Sequence, residues 1–129
     1  MSLSNTFETH TLNYLLTNTS VTRPTAWYCA LCLSDPTDSA LGNEVSGGGY
    51  ARQAVTFTVS GNNASNTAAI EFPEATSGYG TVQAVMIMPA SSGGSATDMI
   101  AHAQLSVDKA INTGDIFRIP TGDLDINID

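Results

Sequence analysis

Residues 44–55, "EVSGGGYARQAV", place three consecutive glycines in front of a stretch that alternates in polarity. A phosphate cradle would continue into a helix whose first amides face the ligand, and it would usually carry a lysine. After Gly49 the chain instead sets Ala51, Gln53, Val55, Phe57 and Val59 on one face and Tyr50, Arg52, Thr56 and Thr58 on the other. That is the period of a strand. Without a Cβ, Gly47 to Gly49 can turn at positive φ or pass close to another backbone, so the stretch reads as a loop entering a sheet.

The same period recurs from residue 26 onward. Candidate strands are 26–33, 51–59, 67–72, 81–88, 98–105, 115–119 and 123–128, separated by turn clusters such as "SGNNASN", "PEATSGYG", "PASSGGSA" and "NTGD". Short strands with polar, Gly-rich turns and no helices between them predict a mainly β fold. We expect an antiparallel β-sandwich, jelly-roll-like, or a small barrel, and not a parallel α/β sheet. Segment 34–50 exceeds a usual hairpin connection and is expected to be the mobile loop.

One helix precedes this region. Over residues 4–16, Asn5 and Glu8 resemble a capping box, and at 100° per residue Leu3, Phe7, Tyr14 and Leu15 fall on one side. Leu12 and Leu16 extend the apolar arc, while Thr6, Thr9, Asn13 and Thr17 hold the opposite face. Such an arc is wide enough to touch both its own sheet and a neighbouring subunit. The organisation expected is one domain over 1–129, with the helix at 4–16 and the sandwich at 26–129.

Charge narrows the partners. Twelve acids against four bases give a net charge of −8, and the bases Arg23, Arg52, Lys109 and Arg118 are scattered. Nucleic acid and anionic membrane each need a local basic field that such a chain does not supply. The opening "MSLSNTFETH" has neither a basic nor an apolar region, so no secretory leader is expected and synthesis is placed in a host cytoplasm.

The chemistry-bearing residues form no catalytic constellation. Cys29 and Cys32 make a "CALC" motif, but on a strand residues three apart point to opposite faces, so they read as buried reduced thiols rather than a redox or zinc pair. This strand is apolar on both faces, so the other sheet is expected over one and the helix or a partner over the other. The ending "DLDINID" spaces Asp123, Asp125 and Asn127 like the start of a calcium loop, yet it lacks the later Gly and Glu and interleaves Leu124, Ile126 and Ile128. A terminal strand accounts for all of it. His10 and His102 sit in no hydrolase motif, and His102 with Asp98 is the one local acid–imidazole pairing. No catalytic, cofactor or metal residue is assigned, and no enzyme activity is expected.

In order, "LSNTFETHTLNYLL", "RPTAWYCALCLSDPT", "EVSGGGYARQAVTF", "NTAAIEFPEAT", "YGTVQAVMIM" and "GDIFRIPTGDLDINID" resemble a family of small structural proteins of tailed bacteriophages. The resemblance covers nearly the whole chain and departs from it at "CALC", where other apolar residues are usual. Members of that family carry tail-fibre labels, and some are similar to capsid cement or decoration proteins. The resemblance implies a virion component.

Among such roles we place capsid decoration first, an accessory tail or tail-fibre subunit second, and a carbohydrate-binding sandwich module third. The first implies homo-oligomers, trimers by analogy with lattice symmetry, bound to the major capsid protein at the capsid surface. Candidate contact residues are Phe7, Tyr14, Trp27, Tyr28, Tyr50 and Arg52, because aromatic side chains and arginine tend to dominate binding energy.

Overall fold

A computed structural model describes residues 1–128 of the chain. In order, the elements are β1 (Ser2–Leu3), α1 (Asn5–Leu16), β2 (Tyr28–Cys32), β3 (Gln53–Ala54), β4 (Phe57–Ser60), β5 (Asn63–Asn66), β6 (Ile70–Glu71), β7 (Gly80–Met88), β8 (Ala101–Ile111), β9 (Arg118–Ile119) and β10 (Asp125–Asn127). All described pairings are antiparallel. The largest sheet has the order β1-β8-β7-β2-β3, and smaller sheets of order β10-β5-β4 and β6-β9 lie apart from it. The sandwich expectation holds. The barrel alternative fails, because the large sheet is open, ending in β1 on one side and β3 on the other.

Two strand expectations are corrected. The run 51–59 splits at Val55, which is buried and donates its backbone N–H to the Trp27 carbonyl. On one side of it β3 pairs with β2, and on the other β4 pairs with β5, so the chain crosses between sheets at this corner. The cluster "SGNNASN" is more than the turn its composition suggests. It turns at Gly61, at φ +61, and then supplies β5, central to its sheet despite a polar sequence. Asn66 explains the tolerance: it is 1% exposed, its side chain donates to the carbonyls of Ala68 and Pro120, and it accepts from the Leu124 N–H.

The large sheet is apolar on both faces, as expected from "WYCALCLS". Cys29, Leu31, Val85, Ile87 and Ala101 pack into the main core with Ile70, Phe72, Phe117, Ile119 and Leu124 from the facing layer. Ala30, Cys32, Ala84, Met86 and Met88 point the other way and form a second cluster with Met99. A bulge between Val82 and Ala84 shifts the register, which returns Val82 to the main core.

The second face is closed by loops and not by α1. His102 lies opposite Met86 and Gln104 opposite Ala84, so both side chains share that face. Asp38 bonds His102 at 2.7 Å and Asp35 bonds Gln104 at 2.5 Å, which lays segment 34–44 across the cluster. At its end the Leu33 N–H donates to the Asn43 carbonyl and the Val45 N–H to the Leu31 carbonyl. The stretch expected to be a mobile loop is therefore a tethered cover.

The helix start is pinned one residue earlier than its sequence suggests. Ser4, fully buried, is the N-cap: its Oγ accepts from the Phe7 N–H at 3.4 Å and donates to the Met99 carbonyl at 2.5 Å. Glu8 then falls beyond the position a capping box needs and serves only as an acid in the first turn. No residue of α1 is buried.

Candidate functional site

Behind the glycine run lies a polar clamp. Gly47, Gly48 and Gly49 take φ values of +81, +64 and +79, and a Cβ on Gly48 would come within 2.4 Å of the Ser77 carbonyl oxygen. Only glycine fits such a position without strain. The turn aims Tyr50 and Arg52 back at Glu44. The Tyr50 hydroxyl donates to Glu44 Oε2 at 2.7 Å and accepts from the Leu31 N–H at 3.0 Å. Arg52 donates from Nε to Oε2 and from Nη2 to Oε1, each at 2.8 Å, and reaches the carbonyls of Ala90 and Gly93 at 2.9 Å.

The geometry dictates the electrostatics. Burial alone would raise the Glu44 carboxyl, but hydrogen bonds from Arg52 and Tyr50 prevail and hold it below its ordinary range. Burial, reinforced by the bond to Glu44, pushes the Tyr50 phenol well up. The bond to Glu44 likewise keeps Arg52 more firmly protonated. The clamp thus binds three segments to one another: the 34–49 cover, the strand after it, and the 89–98 loop.

The structure places the six contact candidates as follows. Arg52 is 9% exposed and its donors are engaged within the chain, so it offers little to a partner. Tyr50 is half-buried, stacked on Phe72 and edge-on to Tyr79. Tyr28 is half-buried at the start of β2. Trp27, half-buried, lines a small apolar cleft of about 300 Å³ at the mouth of the sandwich with Phe57, Val59 and Ile126. Phe7 and Tyr14 share a different cleft of about 440 Å³ beside α1. The six candidates therefore fall into separate places, and only Tyr50 with Arg52, and Phe7 with Tyr14, are brought together.

The remaining chemistry candidates resolve locally. Cys29 and Cys32 are both buried and unbridged and lie in different clusters, one on each face of β2. Burial pushes the Cys29 thiol far up and the Cys32 thiol up to about 12. His102 pairs with Asp38 and not with Asp98, whose carboxylate instead accepts from the Ser95 N–H. Ser2 Oγ is 3.4 Å from the same Asp38 oxygen, so the hydroxyl addresses the carboxylate rather than the imidazole. The ending forms β10, paired with β5, with Leu124 buried and Ile126 half-buried, while Ile128 is exposed. Asp129 lies outside the described residues.

The exposed surface is most unusual at α1. The helix turns Thr6, Phe7, His10, Thr11 and Asn13 toward the body, while Leu12, Leu15, Leu16 and Tyr14 are 58, 67, 75 and 77% exposed. The expected apolar side thus faces solvent over much of its length, because the Ser4 anchor and the packing of Phe7 against the main core turn the far end of that side outward. Within the 440 Å³ cleft, Val21 and Pro24 face Phe7 and Leu15, and Arg23 stands at the edge. His10 Nδ1, shielded from solvent, has no hydrogen-bond partner among the described residues.

The protein is an antiparallel sandwich with tethered loops and an N-terminal helix whose Leu12, Tyr14, Leu15 and Leu16 are exposed. Its class is that of the small structural proteins of tailed phages. In particular, the chain belongs to the family described as podophage GP4 fiber I protein gp80, which it matches over residues 2–127. No curated protein matches the chain.

Proposed function

We propose that this protein is a subunit of the phage tail-fibre apparatus that works by assembly and carries out no catalysis. The observation that carries this reading is the family match, whose description names a fiber protein and which spans residues 2–127. The sequence alone favours capsid decoration; the family description supports the tail-fibre alternative instead. The architecture is consistent with that alternative: the clamp, the tethered cover and the buried Asn66 fix the body, and α1 leaves an apolar surface for a neighbour.

The test is composition of the purified virion. Quantitative mass spectrometry should find this chain at a copy number comparable to that of the tail proteins. A copy number comparable to that of the major capsid protein would return the role to capsid decoration.

A further inference from the structure

Arg23 stands where two clefts meet. One, of about 310 Å³, lies between α1, segment 22–25 and the 89–98 loop, and its polar lining is His10, Thr22, Thr25, Thr97 and Asp98. The other is the cleft of about 300 Å³ that holds Trp27 and Phe57. A polar hollow thus adjoins an aromatic one, and the same arginine lines both.

The polar groups of the first cleft are not used up within the chain. Asp98 Oδ2 accepts from the N–H and the hydroxyl of Ser95 at 2.7 and 3.2 Å, which leaves Oδ1 open. Arg23 is exposed and forms no ion pair among the described residues, although Asp98 lines the same cleft. The His10 imidazole lines it too, and its Nδ1 is without a partner among the described residues. The walls are fixed: Ser4 anchors the start of α1 to the Met99 carbonyl, and Arg52 holds the 89–98 loop by the carbonyls of Ala90 and Gly93. Open polar groups on fixed walls can bind a ligand without the cost of ordering them.

We propose that the joined clefts bind a neutral saccharide, with one sugar ring in the polar cleft and the next against Trp27. Neighbouring hydroxyls can accept from Arg23 while donating to Asp98, whereas a ligand of single charge would meet a like charge at one of the two. A hydroxyl also suits an imidazole in either tautomer, because it both donates and accepts. Trp27 and Phe57 supply aromatic area for the apolar C–H face of a sugar ring. The net charge of −8 disfavours an acidic polysaccharide. Asp98 is the one carboxylate among the residues lining the two clefts, and glycoside cleavage ordinarily takes a pair, so the site holds sugar without cutting it.

The inference goes beyond the fibre reading and is decided on the isolated chain, whereas the place in the virion is decided on the virion. The experiment is a printed array of neutral and acidic bacterial surface oligosaccharides probed with the full chain, followed by titration calorimetry with the neutral oligosaccharide bound most strongly. Arg23→Ala and Trp27→Ala, one in each kind of lining, should each weaken that binding by about tenfold or more. Lys109→Ala, exposed and outside both clefts, should leave it unchanged.

Nuclear magnetic resonance supplies a readout that needs no variant: the His10 imidazole signals should shift as the oligosaccharide is added, while those of His102, held by Asp38 away from the clefts, stay in place. Failure to bind any neutral oligosaccharide overturns the proposal. So do a preference for acidic ones, binding indifferent to Arg23→Ala, and His10 signals that do not move.

Discussion

The Glu44 carboxylate and the Arg52 guanidinium meet fork to fork, with both contacts at 2.8 Å and the arginine 9% exposed. The pair is the hub to which the cover segment and the 89–98 loop are tied, since the same guanidinium holds the carbonyls of Ala90 and Gly93. Removing one partner of such a pair leaves the other uncompensated. Arg52→Leu should therefore cost about 2 to 4 kcal/mol in urea unfolding, below the full range for a buried pair because the Glu44 side chain keeps 26% exposure. Lys109→Leu, at an exposed position, should stay within about 0.5 kcal/mol of wild type.

The same carboxylate sets an acid limit. Its value in the folded protein is held below that of the unfolded chain, so its stabilisation is complete above the unfolded value and is lost as pH falls through the folded one. Unfolding free energy should drop between about pH 5 and pH 3, near and below the ordinary range of a glutamate. In Glu44→Gln the drop should be smaller. Equal drops in both proteins would remove Glu44 from the acid response.

The thiols set an alkaline limit with the opposite sign. Cys29 and Cys32 are raised by burial, so the folded state holds its protons after the unfolded chain has begun to release them. Stability is complete below the unfolded value and should fall above about pH 8.5 by about 1.4 kcal/mol per pH unit for each thiol. The double Cys→Ala variant should lose that slope. A thiol reagent should leave the native protein unlabelled and find both cysteines after denaturation. Rapid labelling of the native state would contradict the assignment of Cys29 and Cys32 to the two cores.

Asn66 joins three segments through one amide side chain. Asn66→Ala leaves the buried Leu124 N–H without its acceptor and removes two part-buried bonds to the Ala68 and Pro120 carbonyls, and should cost about 1 to 3 kcal/mol by urea denaturation. Asn63→Ala, which removes only an exposed side-chain contact with Asn127, should cost far less.

Much of this architecture is legible in the sequence because the governing signals are local. Alternation in "WYCALCLS" and "YGTVQAVMIM" places β2 and β7, and the glycine run at 47–49 marks a positive-φ entry that the structure shows. The features that escape the sequence depend on long-range partners. Polar "NASN" pairs on both sides as β5 because Asn66 finds carbonyls at Ala68 and Pro120, and no period announces that. Arg52 carries the mark of a contact residue until Glu44 is seen to hold it. The helix arc is visible, but its rotation is not, since Ser4 is fixed by the backbone of Met99 and Ile100, nearly a hundred residues away in sequence.

The sharpest test of the fibre reading is cryo-electron microscopy of the intact virion at a resolution that shows sheet topology. The account predicts this fold, with its five-stranded sheet and external N-terminal helix, in density belonging to the tail-fibre apparatus. Density for the same fold distributed over the capsid shell, with none at the tail, would contradict it.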